Sequence, residues 1–174
     1  MILLGDEILL LREFRLDDAN AIVKIANNIN IAQNLRDGFP HPYGLADAHK
    51  FIDIALSQRP PSFFAIEYKG SYVGNISLSK EEDVYRQSAE IGYFIGEDDW
   101  GKGIATRAVQ LITDYGFKQL NLIRIHTGIY EYNVASMRVL EKCGFKKEGI
   151  FEKAITKFDQ LYDEHRYALI HRRI

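Results

Sequence analysis

The sequence predicts an α/β fold of the α+β kind, a mixed sheet of about seven strands with about four helices packed on it. Three observations carry this. Short apolar segments of strand period alternate with segments of helical period, in the order β-α-α-β-β-β-α-β-α-β-β. Two of the strands are joined by the tight turn Lys69-Gly70, which returns the chain beside itself. A third strand, Ser88 to Ile95, runs through a glycine-rich turn into a long helix, a crossover leading to another strand. Meanders combined with a crossover helix imply a mixed sheet rather than the regular alternation of a doubly wound parallel one. No linker-like stretch divides the chain, so residues 1–174 are expected to form a single domain.

Ile8 to Phe14 opens as a strand. Asp17 and Asp18 stand where helix caps belong, and Ala19, Ile22, Val23 and Ala26 follow at helical spacing. Asn27 and Asn28 break that pattern. Ile31 to Tyr43 shows no clear period, and Phe39-Pro-His-Pro-Tyr43 must be extended or turned, because each proline biases its predecessor away from helix. A second helix spans Leu45 to Leu56, with Ala48, Phe51, Ile52 and Ala55 on its apolar face, and Arg59-Pro-Pro61 ends it. Phe63 to Tyr68 and Tyr72 to Leu78 are strands, and Glu81 to Arg86 is a charged loop. Along Ser88 to Ile95, alternation puts Ser88, Glu90, Gly92 and Phe94 on one face and Ala89, Ile91, Tyr93 and Ile95 on the other. The long helix carries Ile104, Ala108, Leu111, Ile112 and Tyr115 at helical spacing and runs to about Lys118. Leu122 to Ile129 is a strand. Asn133 to Cys143 is a short helix, with Asn133 as N-cap and Gly144 just past its end. Two more strands follow Phe145, ending near Leu161 to Ile170.

Composition narrows the function. A formal charge of −2 gives no electrostatic footprint for nucleic acid. Cys143 is the only cysteine, so no disulfide forms within these residues and no oxidising compartment is required. There is no 18-residue apolar run, and Met1-Ile-Leu-Leu-Gly-Asp-Glu7 lacks the positive start of a signal peptide, so a cytoplasmic protein without a membrane partner is expected. His41, His49, His126, His165 and His171 show no zinc spacing, and no metal is expected. His41 reads as a solvated loop histidine, Cys143 as a small buried hydrophobe, and Arg172-Arg173 as a solvated end.

The chemistry centres on Ile91 to Thr106. A helix that opens directly after glycines points its first backbone N–H groups at whatever lies ahead of it, and bare glycines let an anion come close. Gly96, Gly101 and Gly103 thus form a candidate phosphate cradle, or simply a tight strand-to-helix turn. Gly96-x-x-x-x-Gly101-Lys102 approaches the P-loop signature, but Gly103 stands where Ser or Thr should hold magnesium, and Glu97, Asp98 and Asp99 suit a triphosphate poorly. No third glycine completes the dinucleotide fingerprint.

Trp100-Gly-Lys-Gly-Ile-Ala-Thr106 followed by a helix resembles the acetyl-coenzyme A loop of the GNAT N-acetyltransferase superfamily. Glu90-Ile-Gly-Tyr93 resembles its central strand, and Asn133-Val-Ala-Ser136 with Leu140-Glu-Lys-Cys-Gly-Phe145 its Asn-x-x-Ser-x-x-x-Leu-Glu-Lys-x-Gly-Phe helix. Leu10-Leu-Arg-Glu-Phe14 and Asp17-Asp18-Ala19 match its opening, so the resemblance covers nearly the whole chain. It is closest to the branch that acetylates N-terminal amines of ribosomal proteins, which also contains spermidine and antibiotic acetyltransferases. One departure is Asp98, where the superfamily loop has Gln or Arg; Lys102 is a candidate to supply that positive charge.

The resemblance implies a mostly antiparallel sheet with a splayed pair of parallel strands in its middle. It also implies acetyl-CoA as co-substrate, with the diphosphate on the amides of Gly101, Lys102, Gly103, Ile104, Ala105 and Thr106 beside Trp100. The pantetheine arm would lie along Tyr93, Phe94 and Ile95, and the oxyanion on the N–H of Phe94 or Ile95. Attack on a thioester needs an amine stripped of its extra proton. Glu90 is the candidate base; it is equally a carboxylate paired with Arg124 or Lys80. The usual tyrosine acid is replaced by Leu140, and the branch implies Ser136 as donor to the thiolate. Ser136 also reads as an ordinary first-turn serine, with Tyr130 and Tyr132 as substitutes. Asn133 is either a pantetheine contact or only the N-cap. The expected partners are acetyl-CoA and an amine acceptor, a protein N-terminus or a small amine such as a polyamine or aminoglycoside, with the chain a monomer or homodimer.

Overall fold

In the computed structural model, which describes residues 3–172, eight strands form one sheet in the order β1-β2-β3-β4-β5-β6-β8-β7. The strands are β1 (Leu3–Gly5), β2 (Leu9–Arg12), β3 (Phe63–Tyr68), β4 (Ser71–Lys80), β5 (Ser88–Ile95), β6 (Arg124–Tyr130), β7 (Lys146–Lys157) and β8 (Gln160–Ile170). The described helices are α1 (Ala19–Ala26), α2 (Ile29–Ala32), α3 (Leu45–Ser57), α4 (Ile104–Lys118) and α5 (Val134–Lys142). The pairs β1–β2, β2–β3, β3–β4, β6–β8 and β7–β8 are antiparallel, and β5 and β6 run parallel.

The expected class stands, with two additions. β1 is only three residues long, too short to show a period in sequence. α2 is a single turn in the stretch that showed no pattern; Asn28 creates it by accepting the N–H of Asn30 at 2.8 Å. Asp18 stands at the N-cap position of α1, and its carboxylate, accepting the Arg15 N–H, caps the 3-10 turn Leu16–Asp18 just before it. It makes no cap bond to α1 itself. The same carboxylate accepts both terminal nitrogens of the buried Arg12 guanidinium at 2.8 Å and the N–H of Arg15 at 2.7 Å, while Arg12 Nε donates to Glu67 at 2.7 Å. A buried guanidinium satisfied on two sides thus shares the carboxylate that caps the turn.

By compactness the chain divides into two units. The first takes residues up to Ser77 together with Tyr93–Ile112, and the second takes Leu78–Gly92 with the chain from Thr113 onward. In the first, α1 and α3 bury Ala19, Ile22, Ala26, Ala48, Ile52 and Ala55 around Phe14, Tyr43 and Ala65. Each fully buried isoleucine there contributes on the order of 1.5–3 kcal/mol.

In the second unit, the Tyr167 hydroxyl of β8 donates to Glu141 of α5 at 2.9 Å, so α5 lies on the sheet face that carries Tyr167. Register pairs Thr127 with Tyr167, and Ile125 and Ile129 share that face by alternation. The opposite face carries Glu90, His126, Gly128, Tyr130, Glu164 and Arg166, through the pairs Glu90–His126, Gly128–Arg166 and Tyr130–Glu164.

Candidate active site

In the first unit the site is built on the end of β5. Gly96 N–H donates to Val73 O at 2.8 Å, which fixes the strand against β4. A single 3-10 turn, Glu97–Asp99, follows. Gly101 and Gly103 then take left-handed backbone angles, φ +74° and +76°, and a Cβ added to either would meet no atom within 4 Å. The space ahead of both glycines is therefore open. The helical ladder of α4 starts with Arg107 N–H on Gly103 O at 3.1 Å, so the amides of Ile104, Ala105 and Thr106 precede it and point out of the helix start. Main-chain donors under a surface without side chains fit an anion such as a diphosphate.

Ile104 is buried and roots the helix, and Ala105 and Thr106 are half-buried. Trp100 is exposed, and its indole Nε1 donates to Ile95 O at 2.7 Å, taking the last carbonyl of the strand. Lys102 is exposed with its ammonium 2.7 Å from Asp99, a hydrogen bond that raises the lysine pKa. The candidate replacement for the missing loop cation is thus shared with a carboxylate. Asp98 is exposed.

The same unit places the early, poorly patterned segment at this turn. Glu97 accepts Asn28 Nδ2 at 2.6 Å and Asn30 Nδ2 at 3.1 Å, and these bonds hold its carboxyl below the usual range. Phe94 of β5 meets Phe39 edge-on at 5.7 Å, and Phe39 stacks on Tyr43 at 4.9 Å. Tyr93 and Phe94 are half-buried and Ile95 is buried. His41 is exposed, as expected of a loop histidine.

In the second unit, the pairing of β5 with β6 takes in Ser88–Arg124, Ala89–Ile125 and Glu90–His126. Glu90 is half-buried on the polar face. The anticipated rival partner, Arg124, is engaged by Glu148, with one of the two bonds at 2.8 Å; this holds the Glu148 carboxyl below its usual range. Lys80 is exposed. His126 Nε2 lies 3.1 Å from Glu81 Oε1.

Asn133 caps α5, accepting the N–H of Ser136 at 3.2 Å. Ser136 is half-buried in the first turn of α5, the helix packed on the sheet face opposite the one that carries Glu90. Tyr130, Tyr132 and Tyr162 form a chain of edge contacts at 5.9 and 4.9 Å, and burial pushes the Tyr132 phenol up to about 12. Cys143 is half-buried rather than buried; it ends α5, and desolvation raises its thiol, which leaves it a poor nucleophile. Arg172 is exposed, and Arg173 lies outside the described residues.

Sequence reasoning did not single out Glu81, His126, Glu97, Asn28 or Asn30 as site residues. The signal for His126 was present: alternation from Arg124 puts it on the polar face with Gly128, away from Ile125 and Ile129. Its pairing with Glu90 depends on parallel register, which no local pattern states. Among the described residues no group of His, Cys, Asp or Glu could hold a metal ion, and no helix is long and apolar enough to cross a membrane.

Comparison with known proteins identifies the family. The acetyltransferase (GNAT) domain family matches residues 9–146. Probable N-acetyltransferase YjcK of Bacillus subtilis is 44% identical over 98 residues, 56% of this chain and 54% of its own length, so the chain spans about half of that relative. Uncharacterized N-acetyltransferase YnaD of the same organism is 32% identical over 93% of both chains. Spermidine N(1)-acetyltransferase of Escherichia coli is 29% identical over 80% of this chain and 73% of its own. Among solved structures, the Microcin C7 self immunity acetyltransferase MccE in complex with acetyl-CoA and AMP superposes with a TM-score of 0.82 at 25% identity, covering 95% and 94% of the two chains. Ribosomal L7/L12 alpha-N-protein acetyltransferase RimL in complex with coenzyme A shares the fold, with a TM-score of 0.86 at 22% identity over 97% and 98%. The chain belongs to the GNAT family of N-acetyltransferases.

Proposed function

We propose that this enzyme moves the acetyl group of acetyl-CoA onto the N-terminal amine of a protein or peptide, by direct attack in a ternary complex within a single cytoplasmic domain. The observation that carries the cofactor half of this reading is the open space ahead of Gly101 and Gly103 at the start of α4. Gly101 to Thr106 hold the diphosphate through main-chain N–H groups, with Lys102 and Trp100 alongside. Acetyl-CoA, when bound, supplies the thioester carbonyl that the amine attacks.

Tyr93, Phe94 and Ile95 offer the strand edge to the pantetheine amides. Because Gly96 N–H points to β4, strand alternation turns Phe94 toward β4 as well and Ile95 away from it, which favours the Ile95 N–H over that of Phe94 as oxyanion donor. An oxyanion donor of this kind typically contributes about 3–4 kcal/mol. Glu90 accepts the proton the attacking amine must lose, directly or through water. Ser136 donates to the departing thiolate, with Tyr130 and Tyr132 as the nearest substitutes, and Asn133 both caps α5 and reaches pantetheine.

A small cationic acceptor is the second reading, favoured by the identity with a spermidine acetyltransferase. A third class, a module that binds acetyl-CoA without turnover, follows from Leu140 standing where a tyrosine acid is usual. A thiol-release screen with N-terminal peptides, spermidine and an aminoglycoside separates the three. Turnover with peptides alone supports the proposal, and turnover only with small amines replaces it. Coenzyme A binding without release against every amine identifies a binding module.

A further inference from the structure

We propose that His126 and Glu81 form the route by which the reaction proton leaves Glu90 for solvent. The inference rests on Glu90 being the base and adds two residues to its chemistry.

In a parallel pair, residues opposite each other present their side chains on the same face, a few ångströms apart. Glu90 and His126 are such a pair, the last of the three that join β5 to β6. The imidazole is 15% exposed and Glu81 36% exposed, with 3.1 Å between His126 Nε2 and Glu81 Oε1. Glu81 is itself pinned to β5, its N–H donating to Ser88 O at 3.0 Å. Three proton-accepting groups therefore run from a half-buried carboxylate, through an imidazole, to a carboxylate at the surface.

The surroundings suit an imidazole that becomes cationic in passing. On its own strand Arg124 is the next residue on that face, but its charge is matched by Glu148 of β7, whose carboxyl also feels His126. On β8 the residue opposite is the neutral Ala168, and beyond it Arg166 has its Nε 2.7 Å from Glu164. Both neighbouring arginines are thus paired with carboxylates, and Glu81 faces the imidazole directly.

The proton balance is simple. Glu90 takes one proton from the attacking amine, the neutral ring of His126 takes it from Glu90, and His126 releases it to water through Glu81. Glu90 is returned to its carboxylate for the next turnover. No other atom or electron changes hands.

The test uses the full-length enzyme with acetyl-CoA and either an N-terminal peptide or spermidine as acceptor. His126→Ala is expected to lower kcat by roughly 10- to 100-fold with the acetyl-CoA KM unchanged, and added imidazole buffer should restore part of that loss. His126→Gln keeps a hydrogen-bonding side chain toward Glu81 but cannot take up and pass on a proton, and it should lose kcat to the same extent. Glu81→Gln should lose less than either. A His126→Gln enzyme with wild-type kcat, or a His126→Ala enzyme whose loss imidazole leaves untouched, overturns the relay. Glu90→Gln run in parallel separates the two readings: wild-type kcat there removes Glu90 as base, whereas a slow Glu90→Gln enzyme beside fully active His126 variants removes only the relay.

Discussion

The turn before α4 and the polar face around Glu90 solve different problems with different materials. The turn is main chain: left-handed glycines, amides ahead of a helical ladder, and open space where side chains would stand. The polar face is side chains held by strand register: Glu90 beside His126, His126 on Glu81, Arg124 on Glu148 and Glu164 folded over Gly128. A cofactor with a fixed diphosphate needs geometry, and backbone supplies geometry cheaply. Proton transfer needs titratable groups in sequence, and only side chains supply those. Substitutions in the first region should therefore act on folding and cofactor affinity, and those in the second on rate and pH response.

The largest effect is expected where β4 backbone crowds against β5. A Cβ on Gly74 would sit 2.2 Å from Phe94 O, a clash with main chain that no rotamer relieves. Gly74→Ala should cost ~3 kcal/mol and lower Tm by about 6–12 °C, read by calorimetry. A stability close to wild type would show that β4 and β5 tolerate separation at this point.

Gly101→Val comes next. A valine forced into the left-handed region costs about 1–2 kcal/mol and places methyl groups in the open space ahead of the turn. The acetyl-CoA Kd should rise at least tenfold by titration calorimetry, equivalent to about 1.4 kcal/mol. Unchanged affinity would mean that the turn is only a turn.

Ser136→Ala sharpens the other side of the contrast. It leaves the cap bond from the Ser136 N–H to Asn133 intact. It should lower kcat about tenfold, near 1.4 kcal/mol, without moving cofactor affinity. A full-rate variant would shift the donor role to Tyr130 or Tyr132.

The smallest expected effect is Glu148→Gln. Arg124 lowers the folded pKa of Glu148 from an ordinary 4.5, so the pair stabilises the fold above that value and loses its contribution as pH falls through the depressed one. Both groups are solvent-accessible, so the difference from wild type should stay below about 1 kcal/mol at neutral pH and vanish in acid. A gap that persists at low pH would point to packing rather than charge.

The same contrast explains what was legible in the sequence. β3 and β5 match their expected bounds, because β3 is an apolar and aromatic run set between Pro61 and Gly70, and β5 is an apolar segment closed by Gly96. The glycine turn was visible because backbone demands leave a residue-type signature. Asn133 announced its cap in the same way. The Glu90–His126–Glu81 arrangement was not visible, since parallel register joins residues far apart in sequence and leaves no local mark. Asp18 was half legible for a related reason: its place before a helix announces a cap, and nothing local announces that Arg12, six residues earlier, shares its carboxylate. Asn28 was read as a helix breaker and is one, yet it also starts α2 and reaches Glu97.

That last contact has an evolutionary corollary. Asn28 and Asn30 flank the start of α2, and the Glu97 carboxylate binds both to the strand-to-helix corner. Substitutions at either asparagine should shift the corner as well unless Glu97 changes with them. Natural variants should accordingly show linked replacements at positions 28, 30 and 97, rather than independent ones.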